Sequence, residues 1–291
     1  MKPAPFAYYD PASVAEASAL LARHENARLL AGGQSLMPMM NFRYVTPDHL
    51  IDLNKIASLA GITVKDGALR FGAMTRQRDI EFSAEVKRLC PVMREALAHV
   101  GHRQTRNRGT IGGSLCHLDP AAELVNLAAL HDGTLEAESA RGKRVLAFDT
   151  FAAGFMATSL EPDEILTAVT LKPWSARHGY AFLELARRHG DFAIVAASAL
   201  LELDPRGRIA RAALALSGIG PVPARPEKAV ALLKGAVPAR EAFLAAAEEA
   251  SKIEAMSDAY YSAAYRQHLA RVLTRRALEE AARRAAERSA A

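Results

Sequence analysis

Apolar positions come in short segments separated by polar turns along the first 170 residues, which predicts a mixture of strands and helices. Ser13 and Glu16 have the spacing of a capping box, so a helix is predicted to begin there. The apolar segment 27–31 predicts a buried strand that runs directly into a pair of glycines. Further strands are predicted at 50–53, 62–64, 68–71, 134–138, 144–148 and 165–171.

Glycine and proline mark the turns between these segments. Asp66-Gly67 predicts a tight hairpin between two of the strands. Pro91 is expected to split a helix predicted at 84–100, because proline interrupts the backbone hydrogen bonds of a helix. Pro120 is expected in the first turn of another helix, which extends to residue 130.

The pattern changes around residues 173–179. Three longer apolar segments follow, at 180–186, 192–203 and 209–217, and they predict a small antiparallel sheet. From residue 226 onward the chain is rich in alanine and has a helical pattern. The sequence therefore predicts two domains, 1–175 and 176–291, in an α+β protein.

Composition limits the chemistry that this chain can perform alone. Of its 291 residues, 50% are hydrophobic and 24% charged, which is typical of a globular protein. Two cysteines are too few for a disulfide framework, a four-cysteine zinc site or an iron–sulfur cluster. Redox chemistry would thus need an organic cofactor or a group held by another chain.

Charge and hydropathy bear on partners and location. The net charge is +5, and residues 266–291 alone hold seven arginines against three glutamates. These arginines lack the interleaved aromatics of a nucleic-acid surface, so no nucleic-acid partner is expected. With neither a signal-peptide core nor a segment of about 20 apolar residues, we expect a cytoplasmic protein without a membrane span.

Two glycine-rich turns are the strongest candidates for a binding site. Ala31-Gly-Gly-Gln-Ser35 follows a predicted strand and precedes a short predicted helix, and Thr110-Ile-Gly-Gly-Ser114 repeats the composition. Without a Cβ, such segments let backbone N–H groups approach a phosphate closely. Taken alone, each could also be a plain tight turn. Neither fits the dinucleotide fingerprint or the P-loop.

Other chemistry finds little support in the pattern. His102, His117 and His189 have no second pair of residues at metal-ligand spacing, so no metal site is predicted. No serine, histidine and aspartate carry the local signature of a nucleophilic hydrolase. We therefore predict no catalytic residue.

Several motifs together resemble one family. Besides Ala31–Ser35 they are 106–114 (RNRGTIGGS), 119–123 (DPAAE), 186–193 (ARRHGDFA) and 265–276. Their order and spacing resemble the FAD-binding medium subunit of molybdenum hydroxylases, the type found in carbon monoxide dehydrogenase and xanthine dehydrogenase. The resemblance implies a two-part FAD-binding domain of the vanillyl-alcohol-oxidase (PCMH) type, followed by a three-stranded antiparallel sheet with a helical bundle.

The resemblance also implies positions that contact FAD. The first glycine segment would hold the diphosphate, the second the phosphate and ribityl region, Glu123 a ribose hydroxyl, Leu160 the adenine pocket and Phe192 the flavin ring. Where relatives often have asparagine, this chain has Ser114. The complete set is Leu29, Leu30, Ala31, Gly32, Gly33, Gln34, Ser35, Leu36, Thr110, Ile111, Gly112, Gly113, Ser114, Glu123, Leu160 and Phe192.

The function implied by the resemblance is electron transfer. A small partner subunit would carry two [2Fe–2S] clusters and a large one a molybdenum–pterin centre. Non-covalent FAD on this chain would then pass electrons to an external acceptor such as a quinone, NAD or oxygen. Two alternatives stay open: a stand-alone FAD-dependent oxidase or dehydrogenase of the same fold, and a scaffold that has lost FAD.

Overall fold

The computed structural model describes residues 1–290 and begins with a small parallel sheet. Its strands β1 (Ala7–Tyr9), β2 (Ala27–Leu30) and β3 (His49–Asp52) lie in the order β1-β3-β2. Helix α1 (Val14–Arg23) connects the first two strands, and α2 (Leu36–Asn41) connects the last two. The predicted cap is confirmed, since the Ser13 hydroxyl accepts a hydrogen bond from the Glu16 amide at 3.2 Å. Single 3-10 turns follow at Leu53–Lys55 and Ala57–Leu59.

A five-stranded antiparallel sheet forms the second layer. The predicted hairpin is confirmed in β4 (Ile62–Lys65) and β5 (Ala68–Gly72), with φ of 51° at Asp66 and 76° at Gly67. Strands β6 (Thr134–Ser139) and β7 (Gly142–Ala147) form a second hairpin, and β8 (Ala152–Gly154) pairs with β9 (Ala157–Thr158) as a separate ribbon. Strand β10 (Ile165–Leu171) lies between β5 and β6, so the sheet order is β4-β5-β10-β6-β7.

Short helices fill the long connection between β5 and β6. They are α3 (Gln77–Phe82), α4 (Ala84–Leu89), α5 (Val92–His99), α6 (Arg103–Arg108), α7 (Ile111–His117) and α8 (Glu123–Leu130), and α9 (Phe148–Phe151) follows β7. Pro91 separates α4 from α5, as predicted. The prediction that Pro120 lies in the first turn of α8 was wrong. The Asp119 carboxylate accepts from the Ala121 amide at 2.8 Å, which forms a turn, and the helix begins only at Glu123.

The last part of the chain is an antiparallel sheet covered by helices. Strands β11 (Gly179–Ala186), β12 (Ala193–Leu203) and β13 (Ile209–Ser217) pair in chain order. Helices α10 (Glu227–Leu233), α11 (Arg240–Ala250) and α12 (Ala263–Ala290) follow. Helix α12 packs directly on β11 and β12 because small residues line the contact. A Cβ on Gly179 would lie only 1.7 Å from the Ala281 carbonyl oxygen.

One apolar core joins the two parts. Helix α8 is buried along its whole length and packs against β12 and β13. Within this contact the Asn126 amide nitrogen donates to the Ser217 hydroxyl at 3.1 Å, and the Ser198 hydroxyl donates to the Asn126 oxygen at 2.5 Å. The α+β prediction is confirmed, with a parallel sheet, an antiparallel sheet and a helix-covered C-terminal sheet. No helix within residues 1–290 is long and apolar enough to cross a membrane.

Candidate functional site

The first glycine segment forms an open backbone loop between β2 and α2. Gly33 has φ of +72°, a left-handed conformation that glycine adopts without strain. The amides of Gly32, Gly33, Gln34 and Ser35 donate to no other residue that the structure describes. The loop is braced from behind, because the Gln34 side-chain nitrogen donates to the Gly32 carbonyl at 3.1 Å. Unpaired backbone donors on a braced loop suit an anionic ligand.

The second glycine segment is not the turn that the sequence predicts. Gly112 and Gly113 lie in the first turn of α7, which Thr110 caps through a 3.0 Å bond from the Gly113 amide to its hydroxyl. The Gly112 amide donates to the Ala73 carbonyl at 2.8 Å. A Cβ at this glycine would lie 2.5 Å from that of Ala73. Gly112 therefore allows close packing, and its N–H group is used within the protein.

The fold brings the two glycine segments into contact. A Cβ on Gly32 would lie 2.2 Å from the Arg108 carbonyl oxygen and 2.8 Å from the Gly109 Cα. One on Gly113 would lie 3.4 Å from the Ala31 Cβ. Two motifs separated by about 80 residues of sequence thus form one continuous surface, as a single elongated ligand would require.

Arg76 and Asn54 brace this surface, and sequence reasoning missed both. The Arg76 guanidinium donates to the Arg108 carbonyl and to the Asn54 side-chain oxygen. The Asn54 nitrogen in turn donates to the Ala31 carbonyl at 2.9 Å. Neither residue lies in a recognisable motif, so the signal exists only in three dimensions.

Glu123 is a buried carboxyl group at the first position of α8, only 7% exposed. Burial raises its pKa to about 8 because the charged form loses its hydration. A hydrogen bond from its own backbone N–H lowers the pKa in part, and so does the charge of His99, whereas the negative charge of Glu184 raises it further. Glu184 lies on β11 with one carboxylate oxygen 3.2 Å from the His99 Nδ1 and the other buried without a partner. A buried carboxyl of this kind can bind a hydroxyl group.

Leu160 and Phe192 have different environments. Leu160 follows β9, which contacts α7, and it packs partly buried against the main core. Phe192 is 64% exposed, in the loop between β11 and β12. Gly190 in this loop abuts the start of α6, since its Cβ would lie 3.0 Å from the His102 ring.

Phe192 also lines an open groove of about 510 Å³. The groove is also lined by the segment before and at the start of α12, which contributes Asp258, Tyr260, Tyr261 and Arg266. Tyr260 is 78% exposed, whereas Arg266 is buried. The groove thus combines exposed aromatic rings with cationic groups, a surface suited to a planar polar ligand.

Cysteine and histidine form no further site in the described part of the chain. Cys90 and Cys116 are both free thiols. Cys90 is buried against His131, with the sulfur 3.3 Å from Nε2. Within residues 1–290, no three side chains of the metal-binding types converge as they would around a metal ion.

Comparison with known proteins identifies the family of this arrangement. Residues 4–174 match the family described as FAD binding domain in molybdopterin dehydrogenase. Residues 180–281 match the CO dehydrogenase flavoprotein C-terminal domain. Together these two matches cover nearly the whole chain.

Individual relatives are similar over nearly their full length. The carbon monoxide dehydrogenase medium chain of Afipia carboxidovorans is 36% identical over 287 residues, covering 98% of this chain and 99% of its own. The xanthine dehydrogenase FAD-binding subunit of Escherichia coli O157:H7 is 30% identical, covering 94% and 95%. The solved carbon monoxide dehydrogenase of Hydrogenophaga pseudoflava contains a chain with a TM-score of 0.94 at 36% identity, covering 98% and 99%.

Proposed function

Since this chain belongs to the family of FAD-binding subunits of the multi-subunit molybdenum dehydrogenases, we propose that it passes electrons from a partner's [2Fe–2S] clusters through FAD to an external acceptor. The observation that supports this proposal most directly is the glycine loop, whose four backbone amides donate no hydrogen bond within the part of the chain that the structure describes. Bound non-covalently, FAD would supply the redox chemistry. The protein would bind, orient and shield it.

Each part of the site has a separate task in this proposal. The segment Leu29–Leu36 binds the diphosphate through the backbone N–H groups of the loop between β2 and α2. Thr110 and Ser114 offer hydroxyl groups beside it. Glu123 accepts from a ribose hydroxyl, Leu160 packs against the adenine, and Phe192 lies beside the flavin ring. None of these side chains acts as an acid or base on a substrate, so the chain needs no catalytic residue of its own.

The same proposal implies two partner subunits. A small subunit would hold the iron–sulfur clusters and a large one the molybdenum–pterin centre where substrate is oxidised. Two free cysteines, one buried against His131, offer no cluster ligand set within residues 1–290. An acceptor such as a quinone, NAD or oxygen would reach the flavin ring through the groove beside Phe192, where Tyr260 presents an exposed ring.

Co-expression with the partner genes tests the proposal. We expect the purified chain to bind one FAD, and the FAD to be reduced only when the partner subunits and the substrate are present. Rapid substrate oxidation by the isolated flavoprotein would instead support the stand-alone oxidase or dehydrogenase. A chain that binds no FAD, alone or in the complex, would leave the scaffold alternative.

A further inference from the structure

Arg76 occupies an unusual position beside the glycine loop. Its guanidinium is half-buried and donates through two nitrogens, one to the Arg108 carbonyl and one to the Asn54 side chain. Among the residues that the structure describes, its Nε donates to none. Three of its five N–H donors are therefore unused.

Both hydrogen bonds lead directly to the loop. The Arg108 carbonyl that accepts from Arg76 is the same oxygen that a Cβ on Gly32 would meet at 2.2 Å. The Asn54 side chain that accepts from Arg76 donates to the Ala31 carbonyl. The guanidinium thus supports the loop indirectly at two points, through the Arg108 carbonyl beside Gly32 and through the Asn54 side chain bonded to Ala31.

Its charge is not neutralised by a carboxylate. Within residues 1–290, neither Arg76 nor Arg108 lies within ion-pair distance of an acidic side chain. The nearby Asp52 has its oxygens taken by the Tyr8 hydroxyl at 2.7 Å and by Asn54. By contrast Arg70, Arg106 and Arg284 each face a glutamate.

Burial lowers the pKa of Arg76, and the neighbouring positive charge of Arg108 lowers it further. The negative charges of Asp79 and Asp52 oppose this lowering of the pKa, but less strongly. The charged form of Arg76 is therefore destabilised beside a loop whose backbone donors are unpaired. An anion at the loop would relieve that destabilisation, because opposite charges stabilise each other most where water is partly excluded.

We propose that Arg76, assisted by Arg108, supplies the positive charge that binds the diphosphate of FAD and braces the two glycine segments around it. This inference rests on the proposed function, since it assigns further residues to the same cofactor site. A diphosphate carries two negative charges, and guanidinium groups are well suited to phosphate oxygens. The backbone amides would provide geometry, and the two arginines the charge.

FAD titration of the apo-protein at low and at high salt tests the proposal, with flavin fluorescence as the readout. We expect Arg76→Gln to weaken FAD binding about ten- to hundredfold at low salt. The loss should shrink at high salt, because salt screens charge interactions. Arg76→Lys should recover part of the affinity, since it keeps the charge. Arg78→Gln is the matched control, because this half-buried arginine stacks on Phe82 and, within residues 1–290, forms no hydrogen bond to either glycine segment.

The outcomes separate this inference from the function on which it rests. If the wild-type chain binds no FAD at either salt concentration, alone or in complex with its partner subunits, the proposed function fails. If wild type and Arg78→Gln bind FAD and Arg76→Gln binds it equally well, only the role of Arg76 fails. A loss that is the same at both salt concentrations would indicate a purely structural residue and would also overturn the proposal. Should Arg76→Gln not fold, Arg108→Gln makes the same test at an exposed side chain. We expect a smaller loss of FAD affinity that again shrinks at high salt, and unchanged affinity would contradict the proposal.

Discussion

Replacement of Glu123 by glutamine should have opposite effects on stability and on cofactor binding. In the folded protein burial raises the pKa of this carboxyl from its usual 4.5 to about 8. Between these values the folded state binds more protons than the unfolded state, so stability falls as the pH rises through this window. Relative to low pH, the raised pKa lowers the free energy of unfolding by about 3 kcal/mol at pH 7 and by less than about 1 kcal/mol at pH 5.

Glutamine has nearly the same shape but no titratable proton. The change that Glu123→Gln makes in the free energy of unfolding of the apo-protein should therefore be more favourable at pH 7 than at pH 5. The difference between these two changes should be about 2.5 kcal/mol. The cost of burying an amide cancels in this comparison, because it is the same at both pH values. The same variant should bind FAD about tenfold more weakly, because the amide nitrogen of glutamine cannot replace a carboxyl oxygen as the acceptor of the ribose hydroxyl's hydrogen bond.

Chemical denaturation followed by tryptophan fluorescence measures the stability. The chain has a single tryptophan, Trp174, which is 7% exposed and carries the Arg211 guanidinium 3.8 Å from its ring centre. Its emission should change sharply on unfolding. Glu25→Gln, at an exposed glutamate, is the control and should show no dependence on pH. Equal effects of Glu123→Gln at pH 5 and pH 7 would refute the reasoning about burial, and unchanged FAD affinity would refute the ribose contact.

Three further substitutions probe other parts of the chain. Gly33→Asp should abolish FAD retention, because a carboxylate would meet the diphosphate, whereas Gly67→Asp, with a similar positive φ in the β4–β5 hairpin, should keep full flavin content. Gly179→Ala should destabilise the fold by about 3 kcal/mol in the tryptophan assay, since its Cβ would collide with the backbone of α12, while Gly154→Ala has open space and should change little. Phe192→Ala should leave FAD affinity within about twofold, because the side chain is exposed, but should change the visible circular dichroism of the bound flavin.

The sequence predicted those elements whose signal is local. Strand β10 matches the apolar segment 165–171 from end to end, and the Asp66-Gly67 hairpin follows from turn chemistry. Helix α6 was missed because none of its residues is buried, so it has no hydrophobic period. Strand β1 was missed because it has only three residues and no fully buried side chain.

The candidate site divides in the same way. The first glycine segment could be predicted because its chemistry lies in five consecutive residues. The conformation of Gly112 could not, since a 2.8 Å bond to the carbonyl of Ala73, a distant residue, holds it in a helix. Arg76 could not be predicted either, because its partners Asn54 and Arg108 are 22 and 32 residues away in sequence.

The burial of α8 has a consequence for how this protein folds during synthesis and for how its gene can be divided. A chain ending at residue 175 would expose an apolar helix and leave the Asn126 amide without Ser198 and Ser217. Such a fragment would be prone to aggregation, because the apolar surface of α8 would face water. During synthesis the first part must wait for β12 and β13 to emerge before its folding is complete. If the gene were split at this point, neither product could complete its core without the other. This favours keeping the two family segments in one reading frame.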